Sequence, residues 1–361
     1  MFEDLPLLPI RPSISLLEIL IYSFAAFLIA LILTKPFVQF LHHFKLGKKL
    51  RVEAVDGGTA SVFLTYHQAK AGTPTMGGLL VWGSILLTVL VSRGLSLQGV
   101  VEHSLLQRGQ VYIPLAVLVG FGLLGAVDDY LNIRGMGKNK GLNALPKLFA
   151  LLLMSSLAAG WFYFRLQYSI VVIPFGPLLG LPQTLDLGWL YVPFFIFVVI
   201  GTANAVNVTD GLDGLAAGLL IIAFGAFALV AYLSGLFVLA AFCGVVAGAL
   251  AAFLWHNIPP AIFFMGDTGS LALGGTLAVI AFMINEVLIL PLIGFVFVIE
   301  MLSVIIQLTS KKLRNGKKVF RSAPFHHHLE ALNWGESKVT MRLWIIGAFF
   351  AFLGVLVAIY G

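Results

Sequence analysis

The chain has 361 residues, 60% of them hydrophobic and only 11% charged, with a mean hydropathy of +1.00. Soluble domains carry about 25% charged residues, so a soluble protein is excluded and a membrane protein with many spans is expected. The net charge of +6 does not point to nucleic acid, because the basic residues gather in a few loops between apolar runs, as membrane topology requires.

A spanning helix needs about 20 apolar residues. The runs predict ten such helices, near 17–40, 74–95, 111–128, 148–165, 189–207, 215–234, 236–255, 268–285, 287–308 and 342–360. Glu3 and Asp4 precede the first run where a cleavable signal peptide would carry Lys or Arg, so that run is expected to stay as a helix. Only Ser234-Gly235 punctuates 215–255, and the single cysteine, Cys243, sits there in apolar surroundings, which rules out an intramolecular disulfide. There is no internal repeat, no low-complexity segment and no loop large enough for a separate soluble domain. Residues 1–361 are therefore read as one all-α, polytopic transmembrane domain.

Ten spans put both termini on one side. One set of loops holds Lys45, Lys48, Lys49, Arg51, Lys70, Arg134, Lys138, Lys140, Lys147 and the basic residues between Lys311 and Arg342; the other holds only Arg11, Arg93, Arg108 and Arg165. Positive loops mark the cytoplasm, so both termini are expected outside, and the acidic motifs fall at cytoplasmic ends of spans.

The first motif is KAGTPTMGG, from Lys70 to Gly78. Thr73-Pro74-Thr75 has the form of a helix start, and a helix N-terminus beside a lysine is an anion site; small-residue packing in the membrane accounts for the same letters. Next comes Asp128-Asp129-Tyr130. Neighbouring carboxylates repel and titrate as a pair, which suits one as a base and the other as a metal or lysine partner; a solvated pair matched to Arg134 or Lys138 is the plainer reading.

The stretch GTANAVNVTDGLDGLA then sets Asn204, Asn207, Asp210 and Asp213 three residues apart at the end of an apolar run. Charge inside a membrane is costly and persists where it lines a protein interior or a cleft. Asp267, in FFMGDTGS, adds a further carboxylate, or a plain cap before Thr268-Gly269. Such an all-oxygen set suits Mg²⁺ or Mn²⁺ and not zinc. Phe263 and Phe264 could face a flat ring. The last motif is RSAPFHHHLE; three adjacent histidines cannot point the same way, but imidazoles can donate to phosphate oxygens. The lysines before it read mainly as a solvated loop. With no GxxxxGK[ST] a P-loop ATPase is disfavoured. A membrane enzyme acting on a nucleotide diphosphate fits best, its lipid substrate entering sideways from the bilayer.

KAGTPTMGG, VDDY, NAVNVTDGLDGLA, FMGDTGSLALGG and APFHHHLE, in this order, resemble the phospho-MurNAc-pentapeptide translocases, a branch of the polyprenyl-phosphate N-acetylhexosamine-1-phosphate transferases. The resemblance spans nearly the whole chain. It implies transfer of phospho-MurNAc-pentapeptide from UDP-MurNAc-pentapeptide to undecaprenyl phosphate, giving lipid I and UMP in peptidoglycan synthesis. It also implies dependence on Mg²⁺, a multi-pass location in the bacterial inner membrane, and a homodimer as a common state. By the same resemblance Asp267 is the principal Mg²⁺ ligand, with Asp210 and Asn207 lining the metal–diphosphate region. Asp128 deprotonates or positions the lipid phosphate, with Asp129 beside it. Lys70, Asp213, Asn257, Phe264 and Gln307 form the nucleoside pocket, Phe264 stacking on uracil and Thr75 lying alongside. Lys147, His326, His327 and His328 are phosphate contacts, with His326 in the catalytic group.

Two departures stand out. The segment from Arg51 to Lys70 is long, although His67-x-x-Lys70 keeps the family spacing, and Asn132 stands where many members carry a lysine. That leaves Lys138 or Lys140 to support the acidic pair. A sibling transferase using UDP-GlcNAc shares the acidic motifs. A cation-coupled transporter would also place Asp and Asn in the membrane, but at the midplane and within inverted repeats.

Overall fold

Backbone in lipid has no hydrogen-bond partner but itself, and these apolar runs resolve into helices. The computed structural model describes residues 14–47, 70, 72–106, 109–136 and 141–361. Glu3, Asp4, Arg11, Lys48, Lys49, Arg51, His67, Arg108, Lys138 and Lys140 lie outside the described residues. The helices are α1 (Leu16–His43), α2 (Gly78–Leu97), α3 (Tyr112–Arg134), α4 (Ala144–Gly160), α5 (Tyr191–Thr209), α6 (Leu215–Leu233), α7 (Phe237–Asn257), α8 (Asp267–Ile284), α9 (Phe295–Leu313), the short α10 (Phe325–Glu330) and α11 (Glu336–Tyr360). A small antiparallel ribbon, β1 (Ile170–Val172) and β2 (Thr184–Asp186), pairs Val171 with Leu185. Nine of the described helices are long and apolar enough to cross a membrane, and the chain is a multi-pass all-α membrane protein.

The tenth expected span, 287–308, is not a straight helix. Val287–Ile293 and α9 meet at 82°. Pro291 stands in the first turn of the short piece and Gly294 at its end; proline removes a backbone donor and glycine resists helix, the common cause of sharp breaks.

The bundle is built around α8, whose apolar window is 94% buried and which packs chiefly on α3 and α5. Its small residues, among them Gly269, Ser270, Gly274 and Gly275, let neighbouring backbones come close. Two glycines from outside make the closest approaches: a Cβ on Gly78 would lie 2.1 Å from the Gly269 nitrogen, and one on Gly125 2.1 Å from the Asp267 carbonyl oxygen. Side chains cannot be placed there, so α2 and α3 are seated against the first turn of α8.

The start of α1 and the end of α11 lie on the face opposite that turn. At the start of α1, Glu18 Oε1 is 3.3 Å from His103 Nδ1, just beyond the end of α2. At the end of α11, the Gly361 carbonyl accepts from Phe175 N at 2.9 Å and Gln183 Nε2 at 3.0 Å. The starts of α2, α8 and α11 and the end of α5 gather on the other face.

The start of α2 differs from the sequence expectation. The helix begins at Gly78 and has no side-chain cap. Thr73-Pro74-Thr75 is extended chain, Pro74 bridging to Gly47. The N–H groups of Gly77 and Gly78 donate to the carbonyls of Phe264 and Met265 at 2.8 and 2.9 Å. The backbone therefore takes up donors that an anion would need.

Candidate active site

The first turn of α8 carries Asp267, and three helices, α3, α4 and α5, bring partners to it. Lys147, at the start of α4, lies 2.5 Å from Asp267 Oδ2 and 3.0 Å from Asp128 Oδ2. Asn207, from the end of α5, donates to Asp267 Oδ1 at 2.7 Å and to Ser270 Oγ at 2.9 Å. Asp128, near the end of α3, also accepts from Leu142 N at 2.6 Å. Two carboxylates (Asp128 and Asp267) thus face one ammonium in a half-buried recess, with negative charge in excess.

The two adjacent aspartates do different things. Asp129 accepts from Asp267 N at 3.2 Å, Thr268 N at 3.0 Å and Thr268 Oγ1 at 2.6 Å. It is a cap for α8 supplied by another helix, satisfying N–H groups that a helix leaves unpaired. Thr75 borders it: a Cβ on Gly266 would lie 2.4 Å from Asp129 Oδ2 and 2.8 Å from Thr75 Oγ1. Among the described residues the lysine that supports Asp128 is Lys147; Lys138 and Lys140, which the sequence left open for that role, lie outside the described residues.

A second cluster adjoins along Phe264–Asp267. Lys70 Nζ lies 2.6 Å from Asp213 Oδ1 and 2.5 Å from Glu336 Oε1. Asp213 N donates to Glu336 Oε1 at 2.7 Å, and Ala261 N to Asp213 Oδ2 at 3.0 Å. Asn257 ties the loop below, accepting from Gly214 N at 3.0 Å and donating to Phe263 O at 2.9 Å. The Lys70 ammonium stands 6.0 Å from the centre of the Phe264 ring, which is half-buried. Phe263 is not available to a ligand: it is wholly buried, edge-on to Phe37 and Phe253 at 6.1 and 5.3 Å.

The three histidines diverge, each with its own partner. His326 is wholly buried, with Nδ1 3.0 Å from Glu300 Oε2. His327 Nδ1 lies 2.6 Å from Glu330 Oε2. His328 Nδ1 accepts from Arg321 N at 3.2 Å; burial, then the Arg321 charge, hold it below the ordinary histidine range, which suits an accepting nitrogen. Gln307 is buried and engages the backbone of 319–320 with both ends of its amide, at 3.0 Å each. In this structure it clamps that loop.

The oxygen donors suit a hard cation. Among the described residues no three His, Cys, Asp or Glu side chains form a metal cage. What is present, Asp128 and Asp267 drawn together with Asn207 alongside, matches Mg²⁺, which is commonly held by one or two carboxylates plus substrate phosphates. Asp210 closes α5 three residues beyond Asn207.

Sequence reasoning missed Glu300, Glu330 and Glu336. A signal for Glu300 was there: it is a lone acid in the apolar run FVFVIEMLSV, and such a residue is a functional candidate by default. Glu336 opens α11, where an acid suits the helix N-terminus, and nothing local announces its link to Lys70.

Residues 111–285 match the family model for Glycosyl transferase family 4, and residues 70–80 match phospho-N-acetylmuramoyl-pentapeptide-transferase signature 1. A phospho-N-acetylmuramoyl-pentapeptide-transferase of Oceanobacillus iheyensis is 42% identical over 347 residues, which cover 94% of this chain and 98% of that one. A protein of the same name from Shouchella clausii is 42% identical over 349 residues, 96% and 98% of the two chains. A third, from Halalkalibacterium halodurans, is 43% identical over 340 residues, 93% and 96%. With the acidic cluster at the head of α8 and these relatives matched along nearly their whole length, the chain belongs to the phospho-N-acetylmuramoyl-pentapeptide-transferase family, phosphotransferase enzymes of peptidoglycan synthesis.

Proposed function

We propose that the chain transfers phospho-MurNAc-pentapeptide from UDP-MurNAc-pentapeptide to undecaprenyl phosphate, on the cytoplasmic face of the bacterial inner membrane. A phosphate oxygen of the lipid attacks the β-phosphorus of the donor, the anhydride bond to UMP breaks, and lipid I forms. One phosphoanhydride is broken and one made, so the reaction is readily reversible. The observation that carries this reading is the convergence of Asp128, Lys147, Asn207 and Asp267 at one end of a membrane bundle. Phosphoryl transfer depends on alignment and charge neutralisation more than on covalent chemistry.

Mg²⁺, held by Asp267 and Asp210, would supply neutralisation of the diphosphate. Asp128 orients the lipid phosphate and takes its proton where one is present. Lys147 fixes the separation of Asp128 and Asp267 and stays beside the transferred phosphoryl group. Asp129 acts through backbone, holding the first turn of α8 and with it Asp267. Lys70, Asp213 and Phe264 receive the uridine end, Phe264 offering a face to the base. The Lys and Arg of the loops on this face support a cytoplasmic orientation.

The test is UMP release by detergent-purified protein with undecaprenyl phosphate and Mg²⁺, offering UDP-MurNAc-pentapeptide and UDP-GlcNAc in parallel. Release with the muramyl donor alone, lost in Asp128→Asn and Asp267→Asn variants that remain folded, is the expected result. Release with the GlcNAc donor would move the protein to the sibling transferases. No release with either would overturn the reading and favour transport.

A further inference from the structure

The buried pair Glu300–His326 lies outside the acidic cluster and is not explained by it. Glu300 sits on α9 with no exposure, in a run that is otherwise apolar. Its two carboxylate oxygens accept from His326 N at 3.1 and 3.3 Å, and Oε2 lies 3.0 Å from His326 Nδ1. A carboxylate buried this far needs a counter-charge, and among the described residues the imidazole is the ion partner at hand. Nδ1 therefore carries a proton and donates it to Glu300. Burial alone would favour neutral His326. The Glu300 carboxylate outweighs it, joined by Glu330 of α10 and Glu336 of α11, and the group is held above the ordinary histidine range.

The other ring nitrogen is the unexplained part. Among the described residues, His326 Nε2 is buried and has no hydrogen-bond partner. Buried polar atoms without partners are uncommon, and each asks for a reason. This one is aimed at the loop between α5 and α6: a Cβ on Gly211 would lie 2.3 Å from it. Gly211 stands between Asp210 and Asp213, and its bare face is what lets the imidazole edge approach. A histidine serving only to staple α10 to α9 would need Nδ1 and its backbone N–H alone.

We propose that Glu300 is a positioning residue: it turns Nδ1 of His326 inward, so that Nε2–H is offered at Gly211 to an anionic oxygen of the donor's diphosphate. The identity of that oxygen rests on the phosphoryl-transfer reading above; the setting of the ring by Glu300 does not. The same carboxylate–imidazole arrangement fixes tautomer and ring direction in many protein sites.

The test combines a spectrum with kinetics. In full-length protein carrying ¹⁵N-histidine, His326 is assigned by comparison with H326Q. Wild type should show a protonated Nδ1, and adding UDP-MurNAc-pentapeptide should shift Nε2. E300Q keeps the side-chain size and an acceptor oxygen but removes the negative charge that holds the ring protonated, so the His326 signals should move to those of a neutral ring. Its kcat for UMP release should fall by about 10²-fold, the usual effect of losing one aimed donor, with KM for undecaprenyl phosphate changed less than about twofold. The double variant E300Q/H326Q should be no slower than H326Q, because residues acting as a unit are non-additive.

An unchanged His326 spectrum in folded E300Q would overturn the proposal, as would additive losses in the double variant or an Nε2 signal indifferent to the donor. If E300Q does not fold, E300D, which keeps the charge but withdraws the oxygen from Nδ1, should still move the His326 signals and lower kcat, and an unchanged spectrum there would overturn the proposal equally. If wild type releases no UMP, the proposed function fails, while the spectra of the E300 variants still decide whether Glu300 sets the ring.

Discussion

Replacing Lys147 by methionine tests the acidic cluster most directly. The ammonium touches Asp267 at 2.5 Å and Asp128 at 3.0 Å, and the three side chains are 17%, 28% and 11% exposed. Removing one partner of a fully buried ion pair costs about 3–5 kcal/mol, because a charge is left uncompensated; exposed pairs are worth about 0–1 kcal/mol. Lys147 lies between these limits, so about 2 kcal/mol is expected. At about 2–4 °C per kcal/mol for a chain of a few hundred residues, the variant should unfold about 4–8 °C below wild type in EDTA. The two carboxylates then have no cation between them, so Mg²⁺ should bind the variant more tightly and restore part of the loss, rising with log concentration as linkage requires. UMP release should drop by about 10²-fold or more, since a group beside the transferred phosphoryl is gone. The assay is a thermal unfolding scan of purified protein over a Mg²⁺ series, beside the release assay. A variant as stable as wild type in EDTA, or one whose loss Mg²⁺ leaves untouched, would refute the reasoning.

Phe264→Ala should weaken binding of the UDP donor by about tenfold, the lower end of base–aromatic stacking, and leave KM for the lipid unchanged; equal effects on both substrates would count against stacking. Glu336→Gln takes one negative charge from Lys70 while keeping an acceptor for Asp213 N, so KM for the anionic donor should fall two- to fivefold, and the gain should shrink at high salt as screening grows; a salt-independent change would point to altered packing instead. Glu286, in the turn after α8, has its carboxyl pushed up by burial to about 7. A folded-state value above the unfolded one means that folding is favoured below the ordinary glutamate range and loses that help as pH rises through about 7. Glu286→Gln should therefore raise the unfolding temperature at pH 8 and leave it nearly unchanged at pH 4.5, and equal gains at both would show that ionisation is not the cause.

The spans and the acidic motifs were legible because each is a local pattern: an apolar run of fixed length, or carboxylates at helical spacing on the end of such a run. Asp213 and Asp267 announce themselves in this way. What was not legible is pairing at long range. Lys70, Asp213 and Glu336 meet across 266 residues of chain, and no window contains all three. The resemblance marks Lys147 only as a phosphate contact; nothing near it in sequence shows that α4 starts beside α8, where its ammonium also meets Asp128 and Asp267. The bend at Gly294 was hidden for a different reason: hydropathy counts Pro291 and Gly294 as tolerable in a span, and only backbone geometry reveals that they break it. Gln307 and Phe263 had the right residue types for a nucleoside pocket, but burial commits one to a backbone clamp and the other to the core.

The Asp128-Asp129 pair shows how helix geometry separates two identical letters. Successive residues on a helix point about 100° apart, so at the end of α3 one carboxylate turns toward α4 and the other toward the head of α8. Asp129 meets backbone N–H groups there, which neither move nor titrate, and the approach of α3 that makes this contact is the one Gly125 permits. Asp128 meets Lys147 instead, a flexible group on a separate helix. The first is therefore fixed by the core and the second is free to exchange its partner for a substrate. The repulsion that two neighbouring carboxylates would feel in solution is divided between a helix terminus and an ammonium. The carboxylate proposed to react is the one whose partner is a side chain, and the same rule sets Asp267, held by Lys147 and Asn207, apart from Asp129, which reaches the first turn of α8 from α3.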